Sequence, residues 1–286
     1  MSQRVANGTY FGQPVLVRHG AGLSLAETQY AGGTVVPQHE HESALCVLVL
    51  EGAFEERSDS QRETCAAGTL LFLPEGAAHS HKFLARRSRA FTVQFGAQWT
   101  RRMDDFGVSL PDRGEFLDRG CGSWSAARFY QTFRRDDNAI PVALDERALA
   151  ILQALSRTKD STRRETHASW LRVAREYVSE HFRDPFSLSE LARLTGVHPA
   201  YLSRAFRRET GETLSAFVRR LRLEHAAQRL LRDPRPIGLI GLDAGFADHS
   251  HFTREFKRAA GITPQAYREL FSPGRAGPDL REALSP

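Results

Sequence analysis

The pattern of hydrophobic and polar positions changes period near residue 100. Between residues 10 and 95 the apolar runs have strand length: Leu45 to Leu50, Thr69 to Leu73 and Ala90 to Phe95, interrupted by Gly52, Gly68, Pro74 and Gly76. Short strands at near-even spacing predict a barrel or a sandwich. A loop is expected over 110–122 and helices over 125–135 and 142–156. In the second of these helices Leu144, Ala148, Ile151 and Leu155 recur at four-three-four spacing. Such a stripe fits a partner helix in a dimer and equally fits the chain's own barrel. Residues 157–166, RTKDSTRRET, are charged and rich in Ser and Thr, the composition of a linker.

From residue 168 onward the helical period takes over. Trp170, Leu171, Ala174, Tyr177, Val178 and Phe182 form one stripe, Pro185 ends it, and Ser187 with Glu190 has the spacing of a capping box. Pro199 opens a further helix whose Tyr201, Leu202, Ala205 and Phe206 are expected inside, with Ala200, Ser203, Arg204 and Arg207 outside. Residues 241–267 read as helix, tight turn, second helix and a further cap. Gly245 sits where the turn can need a positive φ, and Asp248 is placed to cap the next helix. There Phe252, Phe256 and Ala259 share one face, while His249, Ser250, Thr253, Arg254 and Lys257 share the other.

Residues 196–217 carry the same pattern as residues 245–267. Arg204, Phe206, Arg207, Arg208, Gly211, Thr213 and Phe217 align with Arg254, Phe256, Lys257, Arg258, Gly261, Thr263 and Tyr267, so the helix-turn-helix is duplicated. Between the copies, residues 213–232 lack Gly and Pro, and as one helix they span about 30 Å. One turn of DNA is about 34 Å, so a rod of that length can hold two basic helices in successive major grooves.

Ala244, Gly245, Phe246, Asp248, Ser250, His251, Phe252, Arg254, Phe256, Lys257, Gly261, Thr263, Pro264, Tyr267 and Arg268 resemble the signature of AraC/XylS-type transcriptional regulators. The resemblance covers about residues 170–270. It implies sequence-specific binding of double-stranded DNA, a small-molecule effector, a homodimer, contact with RNA polymerase and no enzymatic activity. Pro199, Ala200, Ser203, Arg204 and Arg207 of the first copy, and His249, Ser250, Thr253, Arg254 and Lys257 of the second, are the expected DNA-binding residues. Arg204 and Arg254 can each bridge guanine O6 and N7, or instead touch phosphate.

The strand-rich region is similar to the cupin barrel. Gly33, His39, His41 and Gly52 look like its first motif, and Gly68, Pro74, Gly76 and His79 like its second. The resemblance puts His39, His41 and His79 where cupins carry metal-binding histidines. Metal-binding cupins have a glutamate a few residues after the second histidine, and this chain has Ala44, Leu45 and Cys46 there. Glu40 and Glu42 point to the opposite face of an extended strand. A three-histidine metal site and a metal-free pocket of neutral to cationic imidazoles that holds a polar or anionic effector both stay open, the second being preferred and no cofactor expected. His81 would share the face of His79. A metal-dependent cupin dioxygenase or isomerase fused to a DNA-binding domain is the alternative.

Charge follows the same division. Residues 1–166 hold 20 basic and 20 acidic side chains, and residues 167–286 hold 19 and 14, so the net +5 lies in the second part, as a phosphate-binding module requires. Three cysteines with no CxxC pair suit a reducing cytoplasm. No apolar stretch approaches the length of a membrane span, and the N-terminus has no export signal, so membrane and export are not expected. The expected fold is multidomain α+β. Residues 1–156 form a cupin-like sensing and dimerisation domain, 157–167 a linker, 168–271 an all-α double helix-turn-helix domain, and 272–286 a disordered tail.

Overall fold

The computed structural model describes residues 3–20, 22–58, 61–105, 110–117, 121–135, 146–156, 169–185 and 187–272. The expected linker, Leu144 and the expected tail beyond residue 272 lie outside them. Contacts divide the chain into two units, Met1–Lys159 with Ala266–Pro286, and Asp160–Gln265.

The first unit holds eleven described strands in two sheets. One has five: β1 (Gln3–Val5), β4 (Val35–His41), β9 (His79–Phe83), β6 (Ala53–Ser58) and β7 (Arg62–Ala66), in that order. The other has six: β11 (Glu115–Leu117), β8 (Leu70–Leu73), β5 (Leu45–Glu51), β10 (Arg87–Phe95), β3 (Leu23–Ala31) and β2 (Gln13–Gly20). Among the described residues the strand ladders stay within each sheet, so the expected barrel is an open two-sheet structure and not a closed cylinder. Strand β11 also corrects the loop expected over 110–122: it pairs antiparallel with β8, Phe116 opposite Leu71.

Val36, Val47, Val49, Phe54, Leu71, Leu73 and Phe83 fill the core between the sheets. The run 45–50 is apolar without alternation because β5 is buried on both faces. Its odd positions meet the core; after β10 comes α1 (Ala97–Asp105), and the reverse of the sheet is covered by α2 (Cys121–Arg134), whose Phe129, Tyr130 and Phe133 surround Phe91 of β10. A polar network is sealed beneath this helix. Arg89 donates to Glu27 Oε1 through Nε at 3.0 Å and Nη2 at 2.7 Å. Tyr130 and Arg134 donate to Glu27 Oε2 at 2.8 and 3.1 Å.

Residues 146–156 are helical, and we label them α3. Ala148, Ile151 and Leu155 are each 0% exposed within the single chain, so the stripe expected to serve a dimer is already occupied by intrachain packing.

The second unit is helical. Helix α4 (Ser169–His181) packs Leu171, Ala174 and Val178 against Leu191 of α5 (Leu188–Thr195), Leu202 and Phe206 of α6 (Pro199–Thr210) and Phe217 of α7 (Leu214–Arg232). The second copy follows as α8 (Ile237–Asp243) and α9 (His249–Ala260), and α10 (Pro264–Leu270) lies across the division between the units. Ser187 accepts from Glu190 N, as the capping box requires, but the Glu190 carboxylate turns to Tyr177 OH, so only half the box forms. Tyr201 was expected inside and is 46% exposed; its neighbours Leu202, Ala205 and Phe206 already fill the inner arc of α6.

Gly245 closes the second turn at φ 90°, where an added Cβ would meet Arg183 O at 2.5 Å and Arg222 Nε at 2.9 Å. Gly211 also has positive φ, 78°, but open space around it. Gly245→Ala should therefore destabilise the helical unit by about 1–3 kcal/mol in urea titration, and Gly211→Ala by clearly less. Ile151→Asp places a carboxylate where no water reaches, and should lower the stability of the first unit by roughly 3–5 kcal/mol rather than yield a well-folded soluble monomer. Circular dichroism with sedimentation distinguishes the two outcomes.

Candidate nucleic-acid interface and histidine pocket

The two helix-turn-helix copies are built by matching local chemistry. Gly196 at φ 69° ends α5 and His198 caps α6 by accepting from Ala200 N; Asp248 caps α9 by accepting from His251 N at 2.7 Å. Gly211 and Gly261 end α6 and α9 in left-handed conformations, at φ 78° and 74°. Helix α7 between the copies has 19 residues, about 28 Å at 1.5 Å per residue, and Thr213 caps it.

On α6 Ala200, Ser203, Arg204 and Arg207 are exposed and Pro199 is half-buried in the first turn. On α9 His249, Ser250, Arg254 and Lys257 are exposed and Thr253 is half-buried. The opposite faces are anchored by Leu202, Ala205 and Phe206, and by Phe252, Phe256 and Ala260. The expected polar residues thus fall on one exposed face of each helix. Arg204 folds back to donate to Ala200 O at 3.2 Å, while Thr253 and His249 approach each other at 3.5 Å. A cleft of about 430 Å³ lies between the copies, lined by Ser203 of α6, Ser215, Val218 and Arg219 of α7, and His251 of α9.

Arg222 of α7 fixes the copies to one another. Its guanidinium donates to Phe182 O at 2.6 Å, Gly245 O at 2.5 Å and Asp184 O at 3.4 Å, three carbonyls past the end of α4 and in the second turn. Sequence reading missed this residue. Its signal was an arginine amid the inner positions of a helix otherwise lined by Phe, Leu and Ala.

In the first unit His39 and His41 of β4 and His79 of β9 converge. Ring centroids of His39 lie 4.8 Å from His41 and 4.2 Å from His79, and those of His41 and His79 are 5.3 Å apart. Register explains this, because His39 stands opposite His79 across the β4–β9 ladder. His81 sits 5.1 Å from His79, ring to ring. Burial holds the imidazoles of His39, His41 and His79 below the usual histidine range, with His41 pushed down to about 4. Burial thus favours the uncharged form of all three, the neutral end of the expected neutral-to-cationic pocket.

A buried carboxylate from another strand lies beside His79 and His81. Glu56 of β6 is 1% exposed and forms an ion pair with His81, and Glu56, His79 and His81 bring their donor atoms within 4.8 Å of one another. The sequence carried one signal for it: Phe54 on β6 is apolar and inward, and alternation then puts Glu56 on the same face. The space left among these side chains is about 40 Å³, room for about one water and far below the roughly 300–1,000 Å³ of organic-ligand pockets.

A model described as a helix-turn-helix domain matches residues 191–270, and one described as a ChrR cupin-like domain matches residues 14–98. The regulatory protein SoxS of Salmonella typhimurium is 34% identical over 103 residues, 36% of this chain and 96% of SoxS. The arabinose operon regulatory protein of Escherichia coli is 24% identical over 243 residues, covering 77% of this chain and 78% of that protein. Among solved structures, ToxT of Vibrio cholerae matches at 10% identity and a TM-score of 0.40, covering 88% of this chain and 99% of ToxT.

Proposed function

The chain belongs to the AraC/SoxS family of transcriptional regulators, and on that premise we propose that its duplicated helix-turn-helix reads one DNA site through two successive major grooves under control of a small ligand held in the sheet unit. The observation that carries this reading is the repetition of one local design. Each copy presents a capped helix with a buried aromatic or aliphatic face and an exposed basic, hydrogen-bonding face, and the rod between them approaches one turn of DNA in length.

In this reading residues 1–156 are the sensor, 157–167 the linker, 168–271 the reader and 272–286 a tail. From α6 the DNA-facing residues are Pro199, Ala200, Ser203, Arg204 and Arg207; from α9 they are His249, Ser250, Thr253, Arg254 and Lys257. Arg204 and Arg254 read base edges, and Arg207 and Lys257, in the last turns of their helices, neutralise phosphate. The small Ala200 and Ser203 leave the first groove less fully read than the second. His39, His41 and His79 hold the ligand. It acts by population shift, which demands that it bind one arrangement of the protein better than another. A second copy of the chain and RNA polymerase are the protein partners of this reading, and the cytoplasm is its compartment. Among the described residues no helix is long and apolar enough to cross a membrane. The histidine and carboxylate cluster is the feature an enzymatic reading would use.

Footprinting of the full chain should protect two adjacent major grooves on one face of the duplex, with affinity falling steeply as salt rises. Protection of a single groove would remove the second reader. Arg254→Ala should cost about 1–3 kcal/mol at one base pair of the site and relax preference there. Uniform weakening over a panel of altered sites, with the salt slope reduced by about one, would instead make Arg254 a phosphate contact.

A further inference from the structure

We propose that the cleft between the two helix-turn-helix copies is a third DNA contact, seating the sugar–phosphate backbone that passes between the two grooves, with Arg219 and Ser215 of α7 and His251 of α9 as its phosphate donors. This rests on the two-groove reading above and adds to it a surface apart from the ten reader residues.

Successive major grooves on one face of a duplex are separated by the minor groove, about 6 Å wide, and the two backbones that flank it. A protein that enters both major grooves brings its waist against those backbones. In this chain the waist is the first half of α7. Ser215 and Arg219 stand four residues apart and Arg222 three further on, so they share one face of the helix, and all three line the cleft. Ser203 of α6 lines it as well. Because Ser203 belongs to the exposed face of α6 with Ala200, Arg204 and Arg207, the cleft opens on the side that the readers present. The opposite wall is His251, next to the exposed Ser250 of α9.

The lining suits both halves of a sugar–phosphate strand. Hydroxyls of Ser203 and Ser215, the Arg219 guanidinium and the His251 imidazole are donors to phosphate oxygen, and no carboxylate is among the described residues that line the cleft. Val218 and Phe246 add an apolar floor for the faces of deoxyribose. The side chain of Arg219 is 44% exposed, and its Nε lies 3.1 Å from Glu255 Oε2, which steadies the guanidinium beside the cleft. Guanidinium carries five N–H donors, so this pair engages only part of it. Arg258 pairs with the same carboxylate, and one negative charge thus faces two positive ones. Arg222 gives its hydrogens to the carbonyls of Phe182 and Gly245, neutral acceptors, so its charge adds to the same field.

A small organic anion would find the same donors, and about 430 Å³ is room enough for one. The backbone is favoured because both walls of the cleft are reader helices. A duplex lying across them brings its phosphates to this opening with no further ligand.

The test uses the full chain and a duplex selected by it from random sequence, with affinity measured between about 50 and 200 mM salt. A methylphosphonate, which removes one phosphate charge, is placed in turn at each backbone position between the two protected grooves. At one position or more it should weaken binding by the wild-type chain about tenfold and leave Arg219→Gln unaffected. Arg219→Gln should bind every member of a panel of altered sites about tenfold more weakly, with the slope of log K against log salt reduced by about 0.9. Arg219→Lys keeps the charge and should restore that slope. Glu255→Gln breaks the same ion pair but leaves Arg219 in place, so it should bind DNA at least as tightly as the wild type. Equal weakening in Glu255→Gln and Arg219→Gln overturns the proposal, because the pair is then a brace between α7 and α9. Two protected grooves with no effect of any central methylphosphonate also overturn it, and leave the cleft to a small anion. Protection of a single groove brings down the two-groove reading itself, and the backbone seat with it.

Discussion

The geometry of the helical unit depends on the guanidinium of Arg222. Helix α7 packs Phe217 into the core of the first copy and pairs Arg219 with Glu255 of α9, and Arg222 adds directional bonds to that packing. Arg222 projects from its middle and binds the carbonyls of Phe182 and Asp184 beyond α4 and the carbonyl of Gly245 in the second turn. Each such bond from a charged donor is worth about 1.5–3 kcal/mol, and these carbonyls lie where helices end and leave acceptors unpaired. Gly245 is part of the same arrangement: its positive φ and missing side chain let Arg222 approach the turn. A reader of two grooves needs two surfaces held in register, and this junction supplies a reason for the register inside one chain.

The sheet unit shows two opposite ways to bury charge. Beneath α2, Glu27 receives Arg89, Tyr130 and Arg134, so both carboxylate oxygens are satisfied and the network ties the helix to the sheet. Between the sheets, Glu56 and the histidines are equally hidden but their donor and acceptor counts do not close. A closed network serves stability and position, while an open one of this composition is suited to a ligand.

Much of the helical unit could be read directly from the chain. Caps at Thr213 and Asp248, left-handed glycines at 196, 211, 245 and 261, and the apolar spacing on α6 and α9 are local features, decided within a few residues. Period errors were confined to places where neighbours outvoted the local pattern. Tyr201 is apolar enough to be placed inside, but Leu202 and Phe206 occupy that arc, and its ring stays in solvent near Trp170. The stripe of α3 had helical spacing suited to either of two partners, and packing within the chain chose between them.

By itself the sequence determined the strand-rich and helical parts, the duplicated readers with their exposed residues, and the shared face of His39 and His41, because each follows from periods of two or 3.6 and from cap chemistry. Only the tertiary structure decided that the two sheets stay open, that β11 pairs with β8, that Glu56 from β6 lies beside His79 and His81, and that Arg222 joins the end of α4 to the second turn. These depend on which strands become neighbours and in what register. Pairing between residues many positions apart is set by the sum of core packing and leaves no periodic trace along the chain.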